Sequence, residues 1–300
     1  MLSSYIYRPP PVPIRQLDEK EFQFVRNLDG VPCLWLPAPE VGGHPEECLL
    51  FFHGNASRIE DLLDDMRIIQ NRLPVTIVAV EYPGFGLAAA AGPPTTHKIR
   101  GSVAWVYDML ADDSYFGKNR ITVAAHSIGT GPAAYIAATR QPKRVVLVSP
   151  FTTVAAVAER VLKHSVFASS ASSAATASYE WDNLAAIQHY RCSLIIYHGT
   201  DDDLIPVSMG RQVYAAAVHT SEKAMVELPG MKHIVDFKVV ADDLLERLKP
   251  DSDKNRDIAQ EHDYFAAKPL PPVFRRGIDD RSENLIGHTP AAASSGCVLL

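Results

Sequence analysis

The run His126-Ser127-Ile128-Gly129-Thr130-Gly131 follows an apolar stretch, Ile121–Ala125, and leads into a helical pattern from Gly129 to Arg140. A strand, a sharp turn carrying serine and then a helix is the arrangement that lifts a nucleophilic hydroxyl above a parallel sheet. Small residues flank the serine because the turn is strained and brings neighbouring backbone close. The pattern Gly-x-Ser-x-Gly is met at Ser127 and Gly129 and departs at its first position, where Ala125 stands. Serine is also an ordinary helix N-cap, so the motif needs company before it means chemistry.

A serine hydroxyl is a poor nucleophile until a base takes its proton and an acid orients that base. Both candidates follow in that order. The strand-like Leu194–His198 runs into Gly199-Thr200-Asp201-Asp202-Asp203, and Ala224–Leu228 runs into Pro229-Gly230-Met231-Lys232-His233. Aspartates are common in surface turns, and a lone loop histidine is usually solvated. A serine, an acid and a histidine that each follow their own strand predict a triad of Ser127, Asp202 and His233, with Asp201 and Asp203 as solvated neighbours. His219, His262 and His288 do not immediately follow a strand. No acid follows Val145–Ser149, where the chain reads Pro150-Phe151-Thr152, so the competing place for the acid is empty.

A tetrahedral intermediate needs hydrogen-bond donors for its oxyanion. The backbone N–H of Ile128, directly after the serine, is one candidate. The other lies in His53-Gly54-Asn55-Ala56-Ser57, after the strand-like Cys48–His53. His-Gly at that place is a form of the oxyanion loop, and the Asn55 N–H is the expected donor, with Ala56 as the neighbouring alternative. The same residues also suit a helix cap, and both roles can hold together because a helix N-terminus favours negative charge. Glu81-Tyr82-Pro83-Gly84-Phe85-Gly86 reads as a tight turn without a chemical role.

The elements that must position these groups alternate along the chain. Strands are expected at Phe22–Arg26, Cys33–Leu36, Cys48–His53, Val75–Glu81, Ile121–Ala125, Val145–Ser149, Leu194–His198 and Ala224–Leu228, with Asp29-Gly30 as a hairpin turn. Helices are expected near Ser57–Arg72, Lys98–Leu110, Gly129–Arg140, Thr153–Phe167, Val207–Val218 and Val235–Leu248. Apolar strands alternating with helices predict an α/β fold: a mostly parallel, doubly wound sheet with helices on both faces and an antiparallel hairpin at its N-terminal side. Ligands bind such sheets at the carboxyl ends of the strands, where all the residues above lie. The expected organisation is a proline-rich segment at 1–20, a hydrolytic α/β domain at 21–249 with a small cap insertion at about 151–185, and a tail at 250–300. Ala168–Ser178 is low in complexity, and the tail is polar and proline-containing.

Composition bounds the alternatives. The chain has 300 residues, 47% hydrophobic and 21% charged, with a formal net charge of −6. That supplies a sizeable core without a disulfide or metal staple. The acidic balance argues against nucleic acid as a partner. Cys33, Cys48 and Cys192 sit in apolar runs without Cys-x-x-Cys spacing and read as buried free thiols of a cytosolic protein. No stretch approaches the roughly 18 apolar residues of a membrane span. The opening MLSSYIYRPPPVP does not read as a secretory signal, and Leu2 excludes N-myristoylation.

Taken together, HGNAS, EYPGFG, HSIGTG, HGTDDDLIP and GMKH resemble the α/β-hydrolase superfamily. They are most similar to its domain-17 group of protein depalmitoylases, whose proline-rich start the opening RPPPVP also resembles. The motifs span residues 53 to 233. The resemblance implies Ser127 as nucleophile, Asp202 as acid and His233 as base, in a serine hydrolase acting on acyl thioesters of proteins without metal or other cofactor. Two departures stand out. Ala125 replaces the usual glycine, and no cysteine precedes Cys33, so the N-terminal palmitoylation of the animal members has no counterpart here.

The chain ends Cys297-Val298-Leu299-Leu300, a C-a-a-X box whose final leucine favours geranylgeranylation of Cys297. The expected partners are therefore an S-acylated protein or acyl ester and, through Cys297, the cytoplasmic face of a membrane. One lipid without a polybasic patch gives only reversible attachment. Three other activities compete: a general carboxylesterase or lipase, a serine peptidase of the prolyl-oligopeptidase type (which would lack that group's propeller), and a non-catalytic binding module on a hydrolase scaffold.

Overall fold

The apolar runs of the sequence become neighbouring strands of one sheet. The computed structural model describes residues 6–10, 17–163 and 180–248. The strands are β1 (Val25–Leu28), β2 (Val31–Leu36), β3 (His44–Phe52), β4 (Val75–Val80), β5 (Ile121–His126), β6 (Arg144–Val148), β7 (Ser193–Gly199) and β8 (Lys223–Leu228). Their order across the sheet is β1-β2-β4-β3-β5-β6-β7-β8. β2 pairs antiparallel with both β1 and β4. From β4 to β8 every pairing is parallel. Asp29 and Gly30 turn the β1–β2 hairpin with φ of 50° and 90°, the left-handed values that a two-residue turn of this twist requires.

The helices are α1 (Glu19–Phe22), α2 (Leu63–Gln70), α3 (Thr96–Leu110), α4 (Thr130–Arg140), α5 (Val154–Lys163), α6 (Asn183–Ile187), α7 (Val207–Ala216) and α8 (Phe237–Leu248). Alternate residues of the central strands feed two cores. Cys48, Leu50 and Phe52 of β3 pack with residues of α3, α4 and α7 on one face. Leu49 and Phe51 pack with α2 and α8 on the other. Period-two alternation with both faces buried is why these strands read as unbroken apolar runs. Each fully buried Leu or Phe contributes roughly 1.5–3 kcal/mol, so the sheet is a stiff base for the loops at its carboxyl edge.

Two expectations need correction. The strand expected at Phe22–Arg26 is instead the end of α1 followed by β1 from Val25. A capping box decides it: Asp18 Oδ1 accepts the Glu21 N–H at 2.8 Å, and Glu21 Oε2 accepts the Asp18 N–H at 3.2 Å. The helix expected at Ser57–Arg72 opens as a 3₁₀ turn, Ile59–Leu62, before α2. Arg58 is still extended there, and the Ile59 N–H donates to Glu81 Oε2 at 3.3 Å. The end of the helix expected at Thr153–Phe167, the segment Ala168–Ser178, and the tail with Cys297 lie outside the described residues. Cys33, Cys48 and Cys192 are buried free thiols. Among the described residues no helix is long and apolar enough to cross a membrane.

Candidate active site

Ser127 stands where β5 ends and a 3₁₀ turn, Ser127–Gly129, leads into α4. Its φ is 54°, a left-handed conformation costing a non-glycine residue roughly 1–2 kcal/mol. That strain lifts the side chain off the sheet edge. Neighbouring backbone comes very close, as the glycines show. A Cβ on Gly129 would lie 2.6 Å from the His53 carbonyl oxygen, and one on Gly54 would lie 2.9 Å from His126 Nδ1. The loop after β3 is thus pressed against the serine turn. Ala125 is fully buried, between Phe52 of β3 and Leu147 of β6. Its methyl packs in the core, so the departure from glycine leaves the turn intact.

The structure brings the three residues singled out after β5, β7 and β8 into one hydrogen-bonded chain. His233 Nε2 lies 2.9 Å from Ser127 Oγ, and His233 Nδ1 lies 2.8 Å from Asp202 Oδ2. A carboxylate can only accept, so Nδ1 carries the ring proton and Nε2 is left to accept from the serine hydroxyl. Asp202 is buried, whereas Asp201 and Asp203 are exposed. Its Oδ1 accepts the N–H groups of Leu204 at 3.0 Å and Ile205 at 2.8 Å. Burial alone would raise the Asp202 pKa. Hydrogen bonds from His198 and His233, the charge of His233 and the Ile205 N–H outweigh it and hold the carboxyl well below the ordinary range.

The two candidate oxyanion donors flank Ser127. Ile128 is in the first turn of a helix, where N–H groups have no intrahelical acceptor. Asn55 follows Gly54 in the loop pressed on the serine turn, and Ala56 after it takes a φ of 55°. Asn55 is also bound through its side chain to the N-terminal segment: Oδ1 accepts the Arg8 N–H at 2.8 Å, and Nδ2 donates to the Ile6 carbonyl at 2.9 Å.

Several supporting residues had no assigned part in the sequence reading. Buried His53 reaches Glu81 Oε1 through Nε2 at 3.1 Å and stacks on Tyr82 with ring centroids 4.1 Å apart. The Tyr82 hydroxyl donates to the His53 carbonyl at 3.0 Å. The turn at Glu81 therefore buttresses the oxyanion loop from behind. An ionisable residue closing an apolar strand was the available clue. His126 Nε2 donates to the His233 carbonyl at 3.0 Å, tying the histidine loop to the serine turn. Burial, then the neighbouring His233, pushes its pKa down to about 4, so it stays neutral near pH 7.

A strained serine, a histidine oriented by a buried carboxylate and N–H groups beside the serine make up the chemistry of acyl transfer. No family model matches the chain. It is 26% identical over 211 residues to the lysophosphatidylserine lipase ABHD12 of Bos taurus, covering 64% of this chain and 50% of that one. The chain thus spans about half the length of that lipase. It is 25% identical over 240 residues to the alpha/beta hydrolase domain-containing protein 17B of Homo sapiens, covering 78% and 76%. Among solved structures, the Pyrococcus furiosus esterase Pf2001 superposes with a TM-score of 0.59 at 17% identity, over 80% of this chain and 96% of that one. The fold is that of the α/β hydrolases. Its curated relatives are α/β hydrolases too, among them the domain-17 protein that the sequence motifs resemble.

Proposed function

We propose that the chain is a serine hydrolase that cleaves acyl esters and thioesters through an acyl-enzyme on Ser127, with S-acylated protein as its substrate. The observation that carries the reading is the unbroken chain Ser127 Oγ to His233 Nε2 and His233 Nδ1 to Asp202 Oδ2, at 2.9 and 2.8 Å. Ser127 Oγ attacks the carbonyl carbon while His233 Nε2 takes its proton. Asp202, already ionised, holds the ring in the required tautomer and stabilises the imidazolium. The Asn55 and Ile128 N–H groups receive the negative oxygen of the tetrahedral intermediate. The imidazolium then returns the proton to the departing thiolate or alkoxide, leaving Ser127 acylated. Water repeats the sequence with the same base and releases the carboxylic acid.

The thioester substrate rests on the motif resemblance to the depalmitoylase group and on the similarity to protein 17B over 240 residues. A lipid-ester hydrolase is the second reading, favoured by the similarity to the lysophosphatidylserine lipase. Measuring kcat/KM on an S-palmitoyl peptide, its amide counterpart and a short-chain ester, with Ser127→Ala as control, separates them. Thioester preference that vanishes in Ser127→Ala is the expected result. Turnover of esters alone would keep the serine chemistry and move the substrate to lipids or small esters. Full activity in Ser127→Ala would overturn the mechanism.

A further inference from the structure

Asn55 does two things that the reaction does not require of one residue. Its backbone N–H is the proposed second oxyanion donor, next to Gly54 in the loop pressed against the serine turn. Its side-chain amide meanwhile binds the C=O of Ile6 and the N–H of Arg8, at 2.9 and 2.8 Å. A carboxamide has one donor side and one acceptor side, like a peptide group. Here it pairs with both backbone groups flanking one residue, as a neighbouring strand would. That residue is Tyr7, which is 2% exposed. The Tyr7 hydroxyl accepts from Trp181 Nε1 at 2.8 Å and shares a 2.5 Å hydrogen bond with Thr96 Oγ1 at the start of α3. Trp181 in turn packs on Gly131 in the first turn of α4, where only a glycine leaves room for the ring.

We propose that Ile6–Arg8 is a strap that holds the oxyanion loop in its working geometry, with the Asn55 side chain as the positioning group that connects the two. The strap is anchored on α3 through Thr96 and, through Trp181, on α4, into which the serine turn leads. It therefore fixes Asn55 relative to the nucleophile by a route independent of β3. Such a connection has a reason to exist. Ala56 beside Asn55 sits at a φ of 55°, so the loop is held in a conformation that alanine does not prefer. An oxyanion donor works only when its N–H is already aimed at the developing charge. Arg8 is exposed, so its contribution is its amide and not its side chain. Pro9 and Pro10 follow it directly, and proline favours an extended backbone at these two positions.

This inference rests on the serine-hydrolase reading, and the experiment separates the two. Full-length wild type, Arg8→Pro, Arg8→Ala, Asn55→Ala, the double variant Arg8→Pro with Asn55→Ala, and Ser127→Ala are compared for kcat and KM on p-nitrophenyl butyrate, below the melting temperature of each. Arg8→Pro deletes the N–H that Asn55 accepts, and Arg8→Ala keeps it. Arg8→Pro and Asn55→Ala are each expected to lower kcat about ten- to a hundredfold with KM within about threefold. That is less than the roughly hundred- to thousandfold loss for deleting a donor outright. The double variant is expected to match the worse single one, because both break one connection. Arg8→Pro within threefold of Arg8→Ala, or single losses that multiply in the double variant, would overturn the strap. If Arg8→Pro does not fold, Asn55→Ala decides alone at the same tenfold threshold. Undiminished activity in Ser127→Ala would instead remove the mechanism on which the strap acts.

Discussion

His198 and His233 both bind the carboxylate of Asp202, but only His233 reaches Ser127. His198 Nε2 lies 2.8 Å from the Ile205 carbonyl and 3.5 Å from Asp202 Oδ2. Its Nδ1 is buried without a hydrogen-bond partner among the described residues and sits against Gly210, which has no side chain to displace it. Its Nε2 side faces Ile205 and Asp202 and its Nδ1 side faces Gly210, so the ring serves to hold the acid and has no contact with the serine. Replacing it with a ring that cannot donate leaves Asp202 and Ile205 each short of a hydrogen bond. His198→Phe is expected to lower kcat about tenfold and to cost ~1–3 kcal/mol of stability. Steady-state kinetics and thermal unfolding check this. An unchanged kcat would show that His233 alone suffices to orient the acid.

The strain at Ser127 predicts an inverted order of stability. Ser127→Ala and Ser127→Gly both lose the proposed nucleophile and the hydrogen bond to His233. Only glycine adopts the 54° φ without cost. Ser127→Gly is therefore expected to melt about 2–4 °C above Ser127→Ala, with both inactive. The ordinary preference for alanine over glycine runs the other way, so equal or reversed melting temperatures would mean that the turn is not strained.

Close approach predicts opposite outcomes for two glycine replacements. A Cβ on Gly129 would collide with carbonyl oxygens at the end of β3, whereas one on Gly101, within α3, would meet nothing within 4 Å. Gly129→Ala should abolish activity and lower the melting temperature by several degrees. Gly101→Ala should raise it by about 1–4 °C, since alanine is the better helix residue by ~0.5–1 kcal/mol. Differential scanning calorimetry on the pair is the check.

Glu60 predicts a pH dependence. Burial, then the adjacent charge of Glu81, pushes its carboxyl up to about 7. Between the ordinary value of 4.5 and about 7, the folded state keeps a proton that the unfolded chain has released. Stability therefore falls as pH rises through that window, and the full penalty is present above it. Glu60→Gln removes the titration. Its melting temperature should gain on wild type by a few degrees between pH 5 and pH 8. Parallel curves across that range would show that Glu60 titrates normally.

Much of the site was legible in the sequence, for a local reason. Ser127, Asp202 and His233 each follow a run of apolar β-formers, and a parallel sheet delivers the ends of its strands to one edge. Strand ends are visible in a one-dimensional pattern, so their convergence follows without coordinates. The choice of Asp202 among three aspartates agrees with its burial beside exposed Asp201 and Asp203. Where local chemistry competed with periodicity the reading erred, as at Phe22, where the Asp18–Glu21 capping box overrode an apolar run.

The succession of strands and helices along the chain, and the candidate serine, aspartate and histidine that follow three of those strands, were legible from residue type and spacing alone. Tertiary structure decided what surrounds them. His198 turns towards Asp202 because Gly210 of a neighbouring helix leaves it room. Asn55 grips Ile6 and Arg8, 49 and 47 residues away, and Trp181 reaches Tyr7 across 174 residues. Such contacts leave no periodic trace, because a side-chain hydrogen bond depends on where two distant backbones pass one another and not on the pattern within either.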